Sequence, residues 1–438
     1  MNYQITGNKK KLIFIQLNEI NFDILEKYRS KFTFKFFNNF FFGNLKKTYS
    51  EQDYDLLEPW IQWVSIHTGK SAKEHNIFRL GDIKNFFYEQ IFEKIEKKGK
   101  SVGAIAPMNA KNNLLNPEYF ISDPWTNTIS GPSSWIRFVA KNLSKIVNLN
   151  ANKKIPIKIY INILIILIRS FRFFNFKMYF NLLTKCFVKK WNKALILDLL
   201  LHDIHINFLK KKSLDFSTIF FNAGAHIQHH YFFNSFFVKK DCKFRNPNWY
   251  IKDNYDPFED VVLFYDHILY EYSLLKDYEI ILSTGLSQKP YDRLKYYYRL
   301  VNHKNFLKIM GVDFSKVEPR MTRDFLISFI DKKHLEDAII KFDLINSLNN
   351  NKIFSYDKRD KSLFVSLIIS FEINENFIIY LDKEKSILMK NHVTFVALKN
   401  GMHSGEGYIF SSWKNNVNHI KDIFNEIDKF FETNIKIN

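Results

Sequence analysis

Apolar residues along this chain gather into short runs separated by longer stretches of helical period. The runs are LIFIQL at 12–17, VGAIA at 102–106, STIFF at 217–221, EIILS at 279–283 and VTFVAL at 393–398. Runs this short, rich in β-branched and aromatic residues, predict strands. Between them, FYEQIFEKIEKKGK at 87–100, FEDVVLFYDHILYEYSLLKDY at 258–278 and WKNNVNHIKDIFNEIDKFF at 413–431 repeat with the period of a helix. The alternation predicts an α/β fold, a mostly parallel central sheet with helices on both faces. This core is expected over 1–134, 213–319 and 392–438. From 135 to 212 the period is helical throughout, which predicts a helical insertion or cap. Residues 320–391 are expected to form a small mixed α+β lobe, with RDFLISFIDKKHLEDAIIKF helical and SLFVSLIISF, NFIIYLD and SILM as short strands.

In open parallel sheets, ligands bind beyond the carboxyl ends of the strands, so the residues that follow each run carry the candidate chemistry. Asn18 and Glu19 follow the first run, and Asn222, His226, Gln228, His229 and His230 follow the third. Thr284, Gly285, Ser287 and Gln288 follow the fourth, and Asn400, Gly401, His403 and Glu406 the last. Amides, carboxylates and imidazoles delivered from four strand ends to one edge suit a metal or acid/base site. A lone histidine after a strand is more often structural, but three imidazoles in HIQHH are costly to bury without ligands or partners.

The segment LEPWIQWVSIHTGKSAKEHNIFRLGD at 57–82 predicts a helix that starts at Pro59 and ends at Thr68-Gly69. Glu58 stands just ahead of it, where the helix dipole favours a carboxylate. A helix ending in TG, then a polar loop and EHNI, resembles the nucleophile-bearing segment of the type I phosphodiesterase and nucleotide pyrophosphatase branch of the alkaline phosphatase superfamily, where TGxxPxxHGI is usual. LIFIQLNEIN, STIFFNAGAHIQHHYFF, EIILSTGLSQ and GMHSGEGYIF resemble further motifs of that family, in the same order between residues 11 and 410.

The resemblance implies two divalent metals, usually zinc, held by Asp and His, and a Ser or Thr that attacks phosphorus or sulfur. This chain departs from it. Asn18 takes the place of the first Asp, Ala225 that of the Asp four before His229, and Thr284-Gly285 that of an Asp-His pair. The nucleophile falls at or beside Pro59, which cannot act, while His229 and His403 are retained. Two accounts stay open: a rearranged zinc or manganese site built from Glu19, Glu58, His226, His229 and His403, or a site that has lost its metals and either binds ligand only or runs a metal-free transfer. In the first, Asn18 and Gln288 would orient substrate, and Glu58 is open to three roles: ligand, general base or replacement nucleophile. Two functions follow: a phosphodiesterase- or phosphatase-like hydrolase or transferase of an anionic ester, with a small-molecule or glycan substrate of surface polysaccharide metabolism, or an inactive homologue that binds ligand or assembles.

Composition narrows this little. The net charge of +19 favours anionic partners, although abundant Lys, Asn, Ile and Phe also suit a general compositional drift. No nucleic acid is expected, since no Gly-rich phosphate loop, zinc finger or RNA-binding motif occurs. With two cysteines, Cys186 and Cys242, and no signal-peptide core, a cytoplasmic location is expected. IPIKIYINILIILI at 155–168 is too short to cross a bilayer and reads first as a buried helix of the insertion. The alternative is peripheral membrane contact through 155–180. Oligomeric state is not legible.

Overall fold

The computed structural model describes residues 11–126, 128–149, 155–320 and 323–432. The chain divides into two compact units, 1–290 with 401–438, and 291–400. The second unit therefore begins and ends outside the 320–391 expected for the small lobe.

The first unit is built on a seven-stranded sheet. Its strands are β1 (Lys11–Leu17), β2 (Lys46–Tyr49), β3 (Val102–Ile105), β4 (Tyr119–Ile121), β5 (Phe216–Phe221), β6 (Tyr278–Ser283) and β15 (Glu406–Ser411), in spatial order β2-β15-β6-β1-β5-β3-β4. The run β6-β1-β5-β3-β4 is parallel throughout, and β15 is antiparallel to both of its neighbours. Every residue of β5, and all of β1 except Lys11, is buried, which is why their sequences show continuous apolar runs rather than alternation. The α/β expectation with a mostly parallel sheet thus holds.

Two details differ. The run at 393–398 does not enter this sheet; it begins β14 (Val393–Ser404), which pairs with β7 (Ser287–Leu300) in a two-stranded sheet. The strand that does enter, β15, was hidden because it follows β14 after a single residue. Between 134 and 212 the described residues contain no strand, with helices Ser134–Leu149, Ile157–Ser170, Phe176–Lys185 and Asn192–Lys212.

The second unit holds the four-stranded sheet β10-β11-β9-β8, made from β8 (Lys316–Pro319), β9 (Asp324–Ser328), β10 (Phe354–Arg359) and β11 (Ser362–Leu367). A short hairpin pairs β12 (Ile378–Tyr380) with β13 (Ser386–Leu388). The stretch 323–342 was expected to be helical. Its first part is instead β9, with alternate residues buried, and the helix Lys332–Leu348 starts only after Asp331, whose side chain accepts from His334 N.

Candidate metal centre

The carboxyl edge of the parallel strands collects the candidate residues for a topological reason. β1, β5 and β6 end there, and because β15 is antiparallel to β6 it begins there, so the residues just ahead of Glu406 reach the same edge.

Glu19 is the centre of the cluster. Its backbone is left-handed, φ 60°, a conformation costing a side-chain-bearing residue about 1–2 kcal/mol. Three contacts hold it there. Glu19 N donates to Thr284 O at 3.1 Å, and Glu19 O accepts from Gln288 N at 3.1 Å and from Gln228 Nε2 at 2.8 Å. The carboxylate is buried. Asn18 Nδ2 donates to Oε1 at 2.8 Å, and Gln288 Nε2 to Oε2 at 2.6 Å.

His229 comes from the helix Ala223–Tyr231, which follows β5. Asp198, from the helix Asn192–Lys212, accepts from Asn222 N at 3.2 Å and Ala223 N at 2.9 Å and so satisfies amides that a helix start leaves without partners. Burial pushes the Asp198 carboxyl up to about 7 against these donors. His403 lies near the end of β14. His229 Nε2 is 3.0 Å and His403 Nε2 3.2 Å from Glu19 Oε2, and the two nitrogens are 3.4 Å apart. Burial alone would raise the Glu19 pKa, yet the two rings hold it well below the usual carboxylate range.

These spacings test the fit of a metal. Ligands about 2.0–2.2 Å from a tetrahedral zinc lie about 3.3–3.6 Å from one another. The separation of 3.4 Å between the imidazoles lies within that range, and the 3.0 and 3.2 Å to Glu19 fall short of it, so the carboxylate would move outward slightly on binding. Among the described residues, this is the one set of three imidazole, thiol or carboxylate donors lying within 4.8 Å of one another. A buried Glu/His/His set of this kind could hold one divalent ion, and three protein ligands leave a fourth position open for water or substrate.

The remaining sequence candidates fall elsewhere. His226 is exposed and stands outside the three-donor set; its ring packs edge-on against His230, with centroids 4.7 Å apart. Glu58 precedes the helix Pro59–Thr68, as expected, but its Oε2 is 3.7 Å from His403 Nδ1, the ring nitrogen facing away from Glu19. It is placed to orient the imidazole rather than to complete the set. Asn18 and Gln288 were expected to orient substrate. Both are buried, and both spend donors on Glu19, so they position that carboxylate instead.

Asn18 is locked further. Trp63 Nε1 donates to its Oδ1 at 2.8 Å, and its Nδ2 also donates to Asn222 Oδ1 at 2.9 Å. Gln288 Nε2 also reaches Ala225 O at 3.0 Å, and its Oε1 is buried without a hydrogen-bond partner. A Cβ on Gly401 would overlap that Oε1 and lie 2.9 Å from the Gln228 carbonyl, so only glycine fits there.

The two-metal expectation finds no second set among the described residues. At Thr284-Gly285, where the resembled family has an Asp-His pair, Thr284 Oγ1 accepts from Tyr408 N at 2.9 Å, and Gly285 packs against the Trp63 indole. Asp198 and the Trp63–Asn18 link escaped the sequence reading. The signal for Asp198 was a carboxylate inside the apolar helical run ALILDLLL.

No protein-family model matches the sequence, and no curated protein matches it either. Over nearly its whole length, at low identity, the chain is similar in structure to members of the alkaline phosphatase superfamily. Phosphonoacetate hydrolase from Sinorhizobium meliloti 1021 is 10% identical, with 97% of this chain and 96% of that one covered at a TM-score of 0.45. Murine ectonucleotide pyrophosphatase/phosphodiesterase 5 is 10% identical over 97% and 95% at 0.44, and the alkaline phosphatase PafA 14% identical over 98% and 96% at 0.44.

Proposed function

We propose that this chain is a single-metal hydrolase of phosphate-containing or related anionic esters, with zinc as the better-suited ion. One observation carries the reading: Glu19, His229 and His403, from three strand ends, present donor atoms 3.0–3.4 Å apart around one point. Two imidazoles and a carboxylate suit zinc more than the oxygen-rich sets manganese prefers. The motifs that resemble the phosphodiesterase branch support phosphate esters, and the chain's resemblance to a branch associated with surface polysaccharide pathways supports sugar or nucleotide-sugar conjugates as the substrate class.

The bound ion would polarise an ester oxygen and supply a water ionising near neutral pH, about 7. The chain's own residues prepare the place. Asn18 and Gln288 fix the two oxygens of Glu19, and the Glu58 carboxylate, 3.7 Å from His403 Nδ1, favours a proton on that nitrogen so that Nε2 keeps its lone pair. Glu58 is also partly exposed, unlike Glu19, and would be the carboxylate available to take a proton from a water that enters the site. Water attack removes the need for a hydroxyl nucleophile where Pro59 stands.

Purified protein should bind one zinc per chain and hydrolyse aryl phosphate or phosphodiester, with both properties lost in Glu19→Gln. Absence of metal binding would sink the reading. Stoichiometric zinc with no turnover on phosphate, phosphodiester or sulfate esters would select the second reading, a ligand-binding homologue, which the loss of a hydroxyl at Pro59 favours.

A further inference from the structure

Of the 33 large apolar side chains exposed among the described residues, 14 lie between 157 and 188, a concentration that scattered surface residues do not produce. On the helix Ile157–Ser170 the exposed positions are Ile157, Tyr160, Ile161, Leu164, Ile165 and Ile168, recurring at i, i+3, i+4, i+7, i+8 and i+11. That is one complete apolar stripe. Ile159, Ile166 and Ser170 of the same helix are buried, so it is apolar on its inner face as well. The helix Phe176–Lys185 repeats the arrangement, with Phe176, Phe180 and Leu183 outward and Tyr179 and Leu182 buried. Phe173 and Phe187, beside it, are 85% and 88% exposed. The expectation of a buried helix at 155–168 is therefore met on one face only.

The charge around this surface is one-sided. Residues 124–197 contain no Asp or Glu and thirteen Lys or Arg, so 74 residues carry +13 of the chain's +19. Lys158, Arg169, Lys177, Lys185 and Lys190 are exposed among the apolar side chains, where long basic stems lie along an apolar layer and place their charges at its polar boundary. A second copy of the same face would bring cations against cations. An anionic lipid surface offers both an apolar layer and the opposite charge. The helix of 14 residues, about 21 Å long, cannot cross a hydrocarbon core of about 30 Å, and no helix among the described residues is long and apolar enough to do so.

We infer that the helices Ile157–Ser170 and Phe176–Lys185 form a monotopic membrane-docking face that lies in the interface of an anionic bilayer. This charge excess is local, which compositional drift across the whole chain does not explain. The inference is independent of the metal site.

The test is vesicle flotation of the full chain with phosphatidylcholine alone and with added phosphatidylglycerol. The protein should float with the anionic vesicles, partition at least tenfold less onto neutral ones, and release as salt rises from about 0.1 to about 1 M. The variant Ile161→Ser/Leu164→Ser/Ile168→Ser should lose at least tenfold in partitioning while keeping its far-ultraviolet circular dichroism. As a check that does not depend on that variant folding, the emission of Phe173→Trp should shift to the blue and be quenched by brominated lipid. Failure to float, or emission unchanged by vesicles, would overturn the inference. So would a wild-type dimer that the triple substitution converts to monomer, since the face would then bind a second copy.

Discussion

Two clusters of imidazole and carboxylate lie in the first unit, and their difference separates a site from a scaffold. In the helical layer, Glu271 accepts from Arg172 Nη2 at 2.6 Å and lies 3.0 Å from His202 Nε2. Asp203 accepts from Asn175 at 2.7 Å and faces Arg172 at 3.5 Å. Burial opposes the Glu271 charge, but His202 and Arg172 outweigh it and bring its pKa to about 2. The permanent cation is already present. At the sheet edge, no Lys or Arg pairs with Glu19 among the described residues; only His229 and His403 do. A buried carboxylate whose only counter-charges are two titratable rings lacks what Arg172 provides in the other cluster, and a metal ion would provide it.

The largest expected effect tests the sheet-edge cluster. His229→Ala or His403→Ala leaves two ligands and should lower zinc affinity on the order of a thousandfold or more, read by calorimetric titration. The apo protein's urea midpoint should move little. Glu271→Ala should do the reverse, leaving metal stoichiometry intact and destabilising the fold by about 3 kcal/mol, because Arg172 loses its 2.6 Å partner and is left with Asp203 at 3.5 Å. If instead it lost metal and kept stability, the comparison would be inverted.

Smaller effects sharpen the same contrast. Glu58→Gln weakens the orientation of His403 and should cost about 10- to 100-fold in zinc affinity or turnover. The smallest is a slope. Because the folded-state pKa of Glu271 is depressed from 4.5 to about 2, its contribution is present above pH 4.5 and is lost as pH falls toward 2. In Glu271→Gln, stability measured over that window should fall less steeply than in the wild type. An identical slope would assign acid sensitivity to other carboxylates.

Much of the architecture was legible in the sequence because its signals are local. Buried parallel strands need continuous apolar runs, and Pro59 and Gly69 bracket a helix through backbone preferences of their own. The mixed unit was harder. β9 and the helix Lys332–Leu348 follow each other so closely that a single helical reading covered both, although DFLIS alternates with period two.

For the candidate centre, the sequence by itself determined which chemical groups stand at the strand ends, since a residue's place after an apolar run is a property of the chain. It named Glu19, His229 and His403 but equally His226 and Glu58. Only the tertiary structure chose among them. The choice depends on helix phase, which leaves His226 exposed, on a left-handed backbone at Glu19, and on β15 running against its neighbours so that His403 reaches the edge where β1 and β5 end. Those are relations between segments up to hundreds of residues apart, which local sequence pattern does not encode.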